Sequence, residues 1–280
     1  MTLKPLIDAQ TLLTLPARRY RFLDASILLP GQEGDPEADF RELALPGAIR
    51  FRINEICDHG NTLPHMVPGP ALFADFMTAH GIDRETGLVF YDRAGSIGAC
   101  RAHWMADLFG HDCAHVLDGG LAALQQAGIA LDALPEPAPY SNTAYQTRAR
   151  YARLAGKGDV LAALGDPDRV ILDARSAGRF HARVAEPRPN TRGGHMRGAV
   201  NLPYGDVLDA EGYFLQPEAL VARLAACAIG ARQVITSCGS GLTAATLTMA
   251  LRVAGHAPGQ LYDGSWAEWG SDPTLPIETS

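Results

Sequence analysis

The 280-residue chain repeats itself. Phe22-Leu23-Asp24-Ala25-Ser26 resembles Ile171-Leu172-Asp173-Ala174-Arg175, and Pro46-Gly47-Ala48-Ile49 resembles Arg197-Gly198-Ala199-Val200. Phe109-Gly110-His111 with Leu117-Asp118-Gly119-Gly120 resembles Ala254-Gly255-His256 with Tyr262-Asp263-Gly264-Ser265. The matching landmarks stay about 150 residues apart along the chain, which chance rarely yields. A chain of this kind folds as two copies of one domain of roughly 125 residues, in preference to one large barrel.

Each copy alternates short β-rich runs with amphipathic helical runs. In the second copy Val170–Asp173, Ala199–Leu202, Gln233–Ser237 and Gln260–Tyr262 read as strands, and Pro217–Ile229 and Thr243–Val253 carry apolar residues at helical spacing. In the first copy Arg21–Ala25, Ala48–Ile53, Leu88–Tyr91 and His115–Leu117 read as strands, with helices near 70–80 and 98–109. Strands alternating with helices predict an α/β fold, each domain a parallel β-sheet flanked by α-helices. Leu131–Asn142 holds three prolines within Pro135-Glu136-Pro137-Ala138-Pro139, which favours an extended strap. The expected division is an N-terminal domain over 1–135, a linker over 136–155 and a C-terminal domain over 156–280.

A 47% hydrophobic content supplies cores for both domains and excludes a wholly disordered chain. The 24 basic and 31 acidic residues leave a net charge of −7, which argues against nucleic acid and anionic membranes as partners. A local basic pocket for a small anion remains compatible with that balance. Five cysteines, an odd number with no CxxC pair, predict neither a zinc site nor a disulfide framework. The N-terminal residues Met1–Asp8 turn polar too early for a signal peptide, and no apolar run is long enough to span a bilayer. The expected setting is a reducing compartment, the cytoplasm.

The chemistry concentrates in Val234-Ile235-Thr236-Ser237-Cys238-Gly239-Ser240-Gly241-Leu242-Thr243-Ala244. A buried strand runs into Cys238, two glycines follow, and a helix begins. Gly239 and Gly241 let the loop curl round the sulfur, so that its N–H groups and the helix N-terminus favour an anionic sulfur. A thiolate is the nucleophilic form, so this placement activates it. Cys227, in contrast, lies on a plain helix face within Leu224–Ile229, and Cys57, Cys100 and Cys113 read as small hydrophobic residues. Cysteine-dependent phosphatases need an arginine six residues after the cysteine, and here that place is Ala244.

Cys238-Gly239-Ser240-Gly241-Leu242-Thr243 resembles the active-site loop of the tandem rhodanese family, and within it the 3-mercaptopyruvate sulfurtransferases. The resemblance covers nearly the whole chain. It implies two rhodanese-like domains, the second catalytic and the first an inactive copy, in which Asp92 falls at the cysteine position. Gly178-Arg179-Phe180 and Glu186-Pro187-Arg188-Pro189 match the family's two arginine motifs, which implies that Arg179 and Arg188 bind the donor's carboxylate and ketone. Planar guanidinium forks suit that task. Arg175, Arg183, Arg192 and Arg197 crowd the same region and read as ion-pairing residues. His65, in Leu63-Pro64-His65-Met66, matches an interdomain histidine that in relatives joins the loop serine, here Ser240, and an acidic residue. That acidic place holds Asn54, with Glu55 beside it. His195 falls where relatives carry a structural histidine.

The resemblance implies a two-step transfer. Cys238 takes sulfur from 3-mercaptopyruvate with release of pyruvate, and passes it to a thiol, thioredoxin or cyanide. Gly239, Gly241, Leu242 and Thr243 line the loop that holds the anion, and Ser240 with His65 supplies the proton. No cofactor and no metal is expected, because the cysteine itself carries the sulfur. Thiosulfate is the alternative donor; relatives that prefer it carry cations after the cysteine, where Gly239 and Ser240 have none. A persulfide carrier without its own catalysis is the non-enzymatic alternative.

Overall fold

The computed structural model describes residues Lys4–Thr279. Met1–Leu3, at the head of the polar N-terminal stretch, and Ser280 lie outside the described residues. The chain forms two compact units. The first takes in residues up to Asp58, Val67–Arg150 and Ala210–Tyr213; the second takes in His59–Met66, Tyr151–Asp209 and the chain from Phe214 onward. The stretch expected as linker, 136–155, passes from the first unit to the second at Arg150–Tyr151.

The first unit runs β1 (Leu6–Ile7), α1 (Ala9–Leu13), β2 (Tyr20–Asp24), α2 (Pro36–Glu42), β3 (Ile49–Arg50), α3 (Pro70–Ala79), β4 (Gly87–Tyr91), α4 (Ile97–Leu108), β5 (Ala114–Leu117) and α5 (Gly120–Gln126). The second runs β6 (Leu154–Ala155), α6 (Lys157–Ala163), β7 (Arg169–Asp173), α7 (Ala177–Phe180), β8 (His195–Met196), β9 (Val200–Asn201), α8 (Pro217–Ala226), β10 (Gln233–Ser237), α9 (Leu242–Val253), β11 (Gln260–Tyr262), α10 (Ser265–Trp269) and β12 (Ile277–Glu278).

The two sheets share one topology. The first is ordered β1-β5-β4-β2-β3 and the second β6-β11-β10-β7-β9, and the pairings in both are parallel. This is the repeat expressed in space. The register aligns the copies residue by residue: Asp24 pairs with Tyr91 across β2–β4, and Asp173 pairs with Ser237 across β7–β10. The residue that follows is Asp92 in one unit and Cys238 in the other.

Parallel strands need crossovers, and helices on both faces of the sheet supply them. That is why β4 and all of β10 after Gln233 are buried, with apolar runs in place of alternation. The edge strands β1 and β6 and the shortened β3 and β9 are two residues each. Runs that short carry no period, so sequence reading misses the first two and overextends the others. Separate cores fill the units, with Phe22, Val89, Tyr91 and Leu117 in one, and Ile171, Ile235, Tyr262, Trp266 and Trp269 in the other. Trp266 and Trp269 are core residues; their indole N–H groups donate to Arg192 O and Pro276 O at 2.8 and 2.9 Å. β8 and β12 form a separate antiparallel ribbon. Among the described residues, no helix is long and apolar enough to cross a membrane.

Candidate active site

Cys238 stands at the carboxyl end of the central strand β10, where parallel α/β sheets bind their ligands. The loop Cys238–Gly241 turns the chain into α9, and Gly241 takes a left-handed φ of 78° at the helix N-cap, a conformation glycine adopts without strain. Thr236 in β10 and Thr248 in α9 join their hydroxyls at 3.0 Å, which fixes the helix behind the strand. The sulfur is sheltered, with Cys238 only 1% exposed.

The loop is held from one side by the start of α10. Trp266 N–H donates to Cys238 O and Ala267 N–H to Gly239 O, both at 2.9 Å. The Ser265 hydroxyl accepts from Cys238 N–H at 3.2 Å and from Gly241 N–H at 3.1 Å, and itself donates to Tyr262 O at 2.8 Å. Two of the loop amides are therefore committed to Ser265 and do not turn toward the sulfur. The amides of Gly239, Ser240, Leu242 and Thr243 have no such bond among the described residues, and those of Leu242 and Thr243 belong to the first turn of α9, where intrahelical acceptors are lacking.

On its other side the loop faces two guanidinium groups. A Cβ placed on Gly239 would lie 3.0 Å from Arg179 Nη2 and 3.5 Å from Arg188 Nη1. A side chain at this position would press on the Arg179 tip, so glycine leaves the arginine pair its room against the loop. Arg179 comes from α7 and is tethered by Glu186, with Nε to Oε1 at 3.2 Å and Nη2 to Oε2 at 2.5 Å. Arg188 has no ion pair or hydrogen bond among the described residues. Burial and the neighbouring Arg179 charge press its pKa below the ordinary value, while Cys238 and Glu186 pull the other way. A cation left so under-compensated favours an incoming anion.

Behind this pair lies Arg175, with no side-chain exposure. Its Nη2 and Nε reach the Asp173 carboxylate at 2.6–3.1 Å, its Nη1 reaches Glu186 Oε1 at 2.9 Å, and its Nη2 also donates to Gly194 O at 2.8 Å. The guanidinium carbon sits 4.2 Å from the Trp266 ring centroid. Burial opposes the Arg175 charge, yet Asp173 and Glu186 together hold its pKa above the ordinary value.

The first unit shows the same frame with different occupants. Leu121 N–H and Ala122 N–H tie Asp92 O and Arg93 O at 2.8 and 3.0 Å, as Trp266 and Ala267 tie the second loop. Gly120 stands where Ser265 would be. The Asp92 carboxylate accepts from Gly98 N–H at 2.8 Å and Ala99 N–H at 2.9 Å, in the first turn of α4. It is buried, and burial pushes its pKa up to about 7.

The second unit matches the family model for a rhodanese-like domain over residues 157–272. The 3-mercaptopyruvate sulfurtransferase of Escherichia coli strain K12 is 37% identical over 92% of this chain and 92% of its own. The chain belongs to the rhodanese family. A mitochondrial thiosulfate/3-mercaptopyruvate sulfurtransferase of Arabidopsis thaliana is 32% identical over 92% of this chain and 74% of its own. The crystal structure of SseA from Escherichia coli, a 3-mercaptopyruvate sulfotransferase, superimposes with a TM-score of 0.81 at 32% identity, covering 94% of this chain and 99% of that one.

Within this rhodanese the structure brings Cys238, Gly239, Arg179 and Arg188 into one cluster, with Ser240, Gly241, Leu242 and Thr243 adjoining in the loop. His65 lies on the segment His59–Met66 of the second unit, with a left-handed φ of 60°. Asn54 and Glu55 belong to the first unit, where they line a cavity of about 300 Å³ with Arg50 and Arg52, and Glu55 is 3.7 Å from Arg52. Arg192 bonds the carbonyls of Trp269, Gly270, Asp272 and Leu275, and Arg197 faces Glu278 at 3.6 Å. His195 stacks on Phe180 at 3.8 Å and its Nδ1 meets Phe180 O at 3.0 Å, a structural setting. A larger cavity of about 720 Å³ opens at the amino ends of β7, β10 and β11 and holds none of the site residues.

Ser265 is the residue that sequence reasoning overlooked. The signal was its pairing with Gly120 in the repeat: the copies differ there, as they do at Cys238. Replacing Ser265 by alanine leaves two buried amides without an acceptor. The expected cost is about 1–3 kcal/mol in urea unfolding, with a reduced kcat/KM for sulfur transfer. An unchanged unfolding midpoint together with an unchanged rate would show that the loop keeps its shape without this hydroxyl.

Proposed function

We propose that the chain is a 3-mercaptopyruvate sulfurtransferase whose sulfur carrier is Cys238. The observation that carries this reading is the meeting of one sheltered cysteine loop with two guanidinium groups at Gly239, one tethered and one without a partner. A 2-oxo acid carboxylate fits the Arg188 fork, and the tethered Arg179 polarises the adjacent ketone.

The Cys238 thiolate attacks the donor sulfur. The new S–S bond forms as the C–S bond breaks, and the C–S electron pair becomes the pyruvate enolate, whose oxygen the arginines stabilise. The enolate carbon takes a proton, for which the Ser240 hydroxyl and His65 are the candidate donors. The thiol proton brought by the donor is released from the new persulfide, so pyruvate leaves with no net proton change. The persulfide sulfur is held by the free loop amides at the N-terminus of α9. An acceptor thiolate, a dithiol such as that of reduced thioredoxin, or cyanide then attacks the outer sulfur. The Cys238–sulfur bond breaks and the thiolate is restored.

Thiosulfate:cyanide transfer is the second reading, because the same guanidinium pair holds a sulfur oxyanion. It ranks lower because Gly239 and Ser240 add no cation beside the sulfur. A persulfide carrier would load from neither donor. Five cysteines without a disulfide among them fit a reducing compartment such as the cytoplasm.

Replacing Arg188 by glycine removes the unpaired fork and should raise KM for 3-mercaptopyruvate by about one to two powers of ten, the worth of hydrogen bonds to a charged group. Steady-state kinetics at fixed cyanide measures this, and an unchanged KM would remove Arg188 from the donor pocket. Comparing kcat/KM for the two donors tests the reading as a whole: a preference for thiosulfate overturns it.

A further inference from the structure

Glu186 is 2% exposed and sits between two guanidinium groups. Its Oε1 accepts from Arg175 Nη1 at 2.9 Å and from Arg179 Nε at 3.2 Å, and its Oε2 accepts from Arg179 Nη2 at 2.5 Å. The charges thus alternate from the sheet outward: Asp173, Arg175, Glu186, Arg179. Arg188 follows Glu186 by two residues and stands outside this chain of pairs.

Two consequences follow for the sulfur. Asp173 and Arg175 cancel one another, so the field at Gly239 comes from Arg179 and Arg188 less the Glu186 carboxylate. With a Cys238 thiolate included, the cluster is close to neutral before any donor arrives. Attraction by so nearly neutral a site is weak, whereas the cost of desolvating a donor grows with the square of its charge, so a singly charged donor enters at lower cost than a doubly charged one. We infer that Glu186 is a positioning residue that aims Arg179 at the loop and also sets donor choice, by trimming the positive field so that a singly charged 2-oxo acid thiol is favoured over doubly charged thiosulfate. This rests on the function proposed above.

The substitution Glu186→Gln tests it cleanly. With the amide carbonyl oxygen at the Oε1 place, the variant keeps the bonds from Arg175 Nη1 and Arg179 Nε and loses only the one to Arg179 Nη2, while the negative charge disappears. Each unit of donor charge gains the same Coulomb increment, so thiosulfate gains twice what 3-mercaptopyruvate gains. In Glu186→Gln the ratio of kcat/KM for thiosulfate to that for 3-mercaptopyruvate, with cyanide as acceptor for both, should rise by about tenfold or more. Glu186→Asp keeps the charge on a shorter arm and should lower both rates at the wild-type ratio. If both donors fall in equal proportion in Glu186→Gln, or if the aspartate variant shifts the ratio as far as the glutamine variant, Glu186 has no part in donor choice. Intact mass of the wild type after each donor separates this from the function itself. A wild type that gains one sulfur from 3-mercaptopyruvate while the Glu186→Gln ratio stays fixed overturns the inference alone. A wild type that takes sulfur from neither donor overturns both.

Discussion

Cys238→Ser will leave the chain folded and without sulfur transfer. A hydroxyl fits the sheltered place at the end of β10, and the ties that shape the loop run through backbone groups and Ser265, none of which the substitution touches. The chemistry cannot survive the same change. An alcohol stays protonated at neutral pH where a thiol is readily ionised, and it does not form a stable bond to sulfane sulfur. The expected loss of kcat/KM with 3-mercaptopyruvate is at least about a thousandfold, the scale seen when a covalent nucleophile is removed. Intact mass after exposure to the donor gives the second readout: the wild type gains one sulfur atom and the variant gains none. A sulfur gain that persists in the variant would place the carrier on Cys57, Cys100, Cys113 or Cys227 and would end the assignment.

Arg175→Met carries the largest expected loss of stability. The guanidinium has no exposure and supports two carboxylates, Asp173 and Glu186, that are themselves 1% and 2% exposed. Removing it leaves the Asp173 carboxylate uncompensated in the interior and Glu186 with Arg179 alone, although methionine fills much of the volume against Trp266. Breaking a buried ion pair from one side costs about 3–5 kcal/mol. The second unit should therefore unfold at markedly lower urea concentration. Sulfur transfer should fall even where the fold survives, because Glu186 would no longer be held in place for Arg179. Lysine at this position keeps the charge but cannot reach both carboxylates in a plane, so Arg175→Lys should recover only part of the loss. Retention of wild-type stability by Arg175→Met would show that solvent reaches these carboxylates.

The strong signals in the sequence were those with a long reach. The repeat, read from Phe22–Ser26 against Ile171–Arg175, foreshadows two sheets of one topology, and the register gives Asp92 in one unit the place that Cys238 has in the other, as the resemblance implies. Gly239 and Gly241 mark the loop because each answers a different physical demand, clearance for the arginines at one and a left-handed backbone at the other. What stayed hidden depends on side-chain direction. The motifs place Arg179 and Arg188 near the sulfur, but nothing in Gly178–Phe180 or Glu186–Pro189 says that one would be tethered and the other left without a partner. Arg175 reads in the sequence as one ion-pairing residue among several and does form ion pairs; that it is the buried centre of them is not visible there. The loop amides were expected to converge on the sulfur, and Ser265 takes two of them, because a hydroxyl from another helix competes for the same donors.

Asp92 has a consequence for what the molecule can hold. The duplicated scaffold offers two equivalent strand ends, yet one is occupied by a carboxylate that already satisfies the helix amides beside it. The result is a monovalent vessel built on a divalent plan. With Cys238 as the carrier proposed above, its capacity is one cargo atom at a time, and each cycle must empty that berth before the next donor can dock.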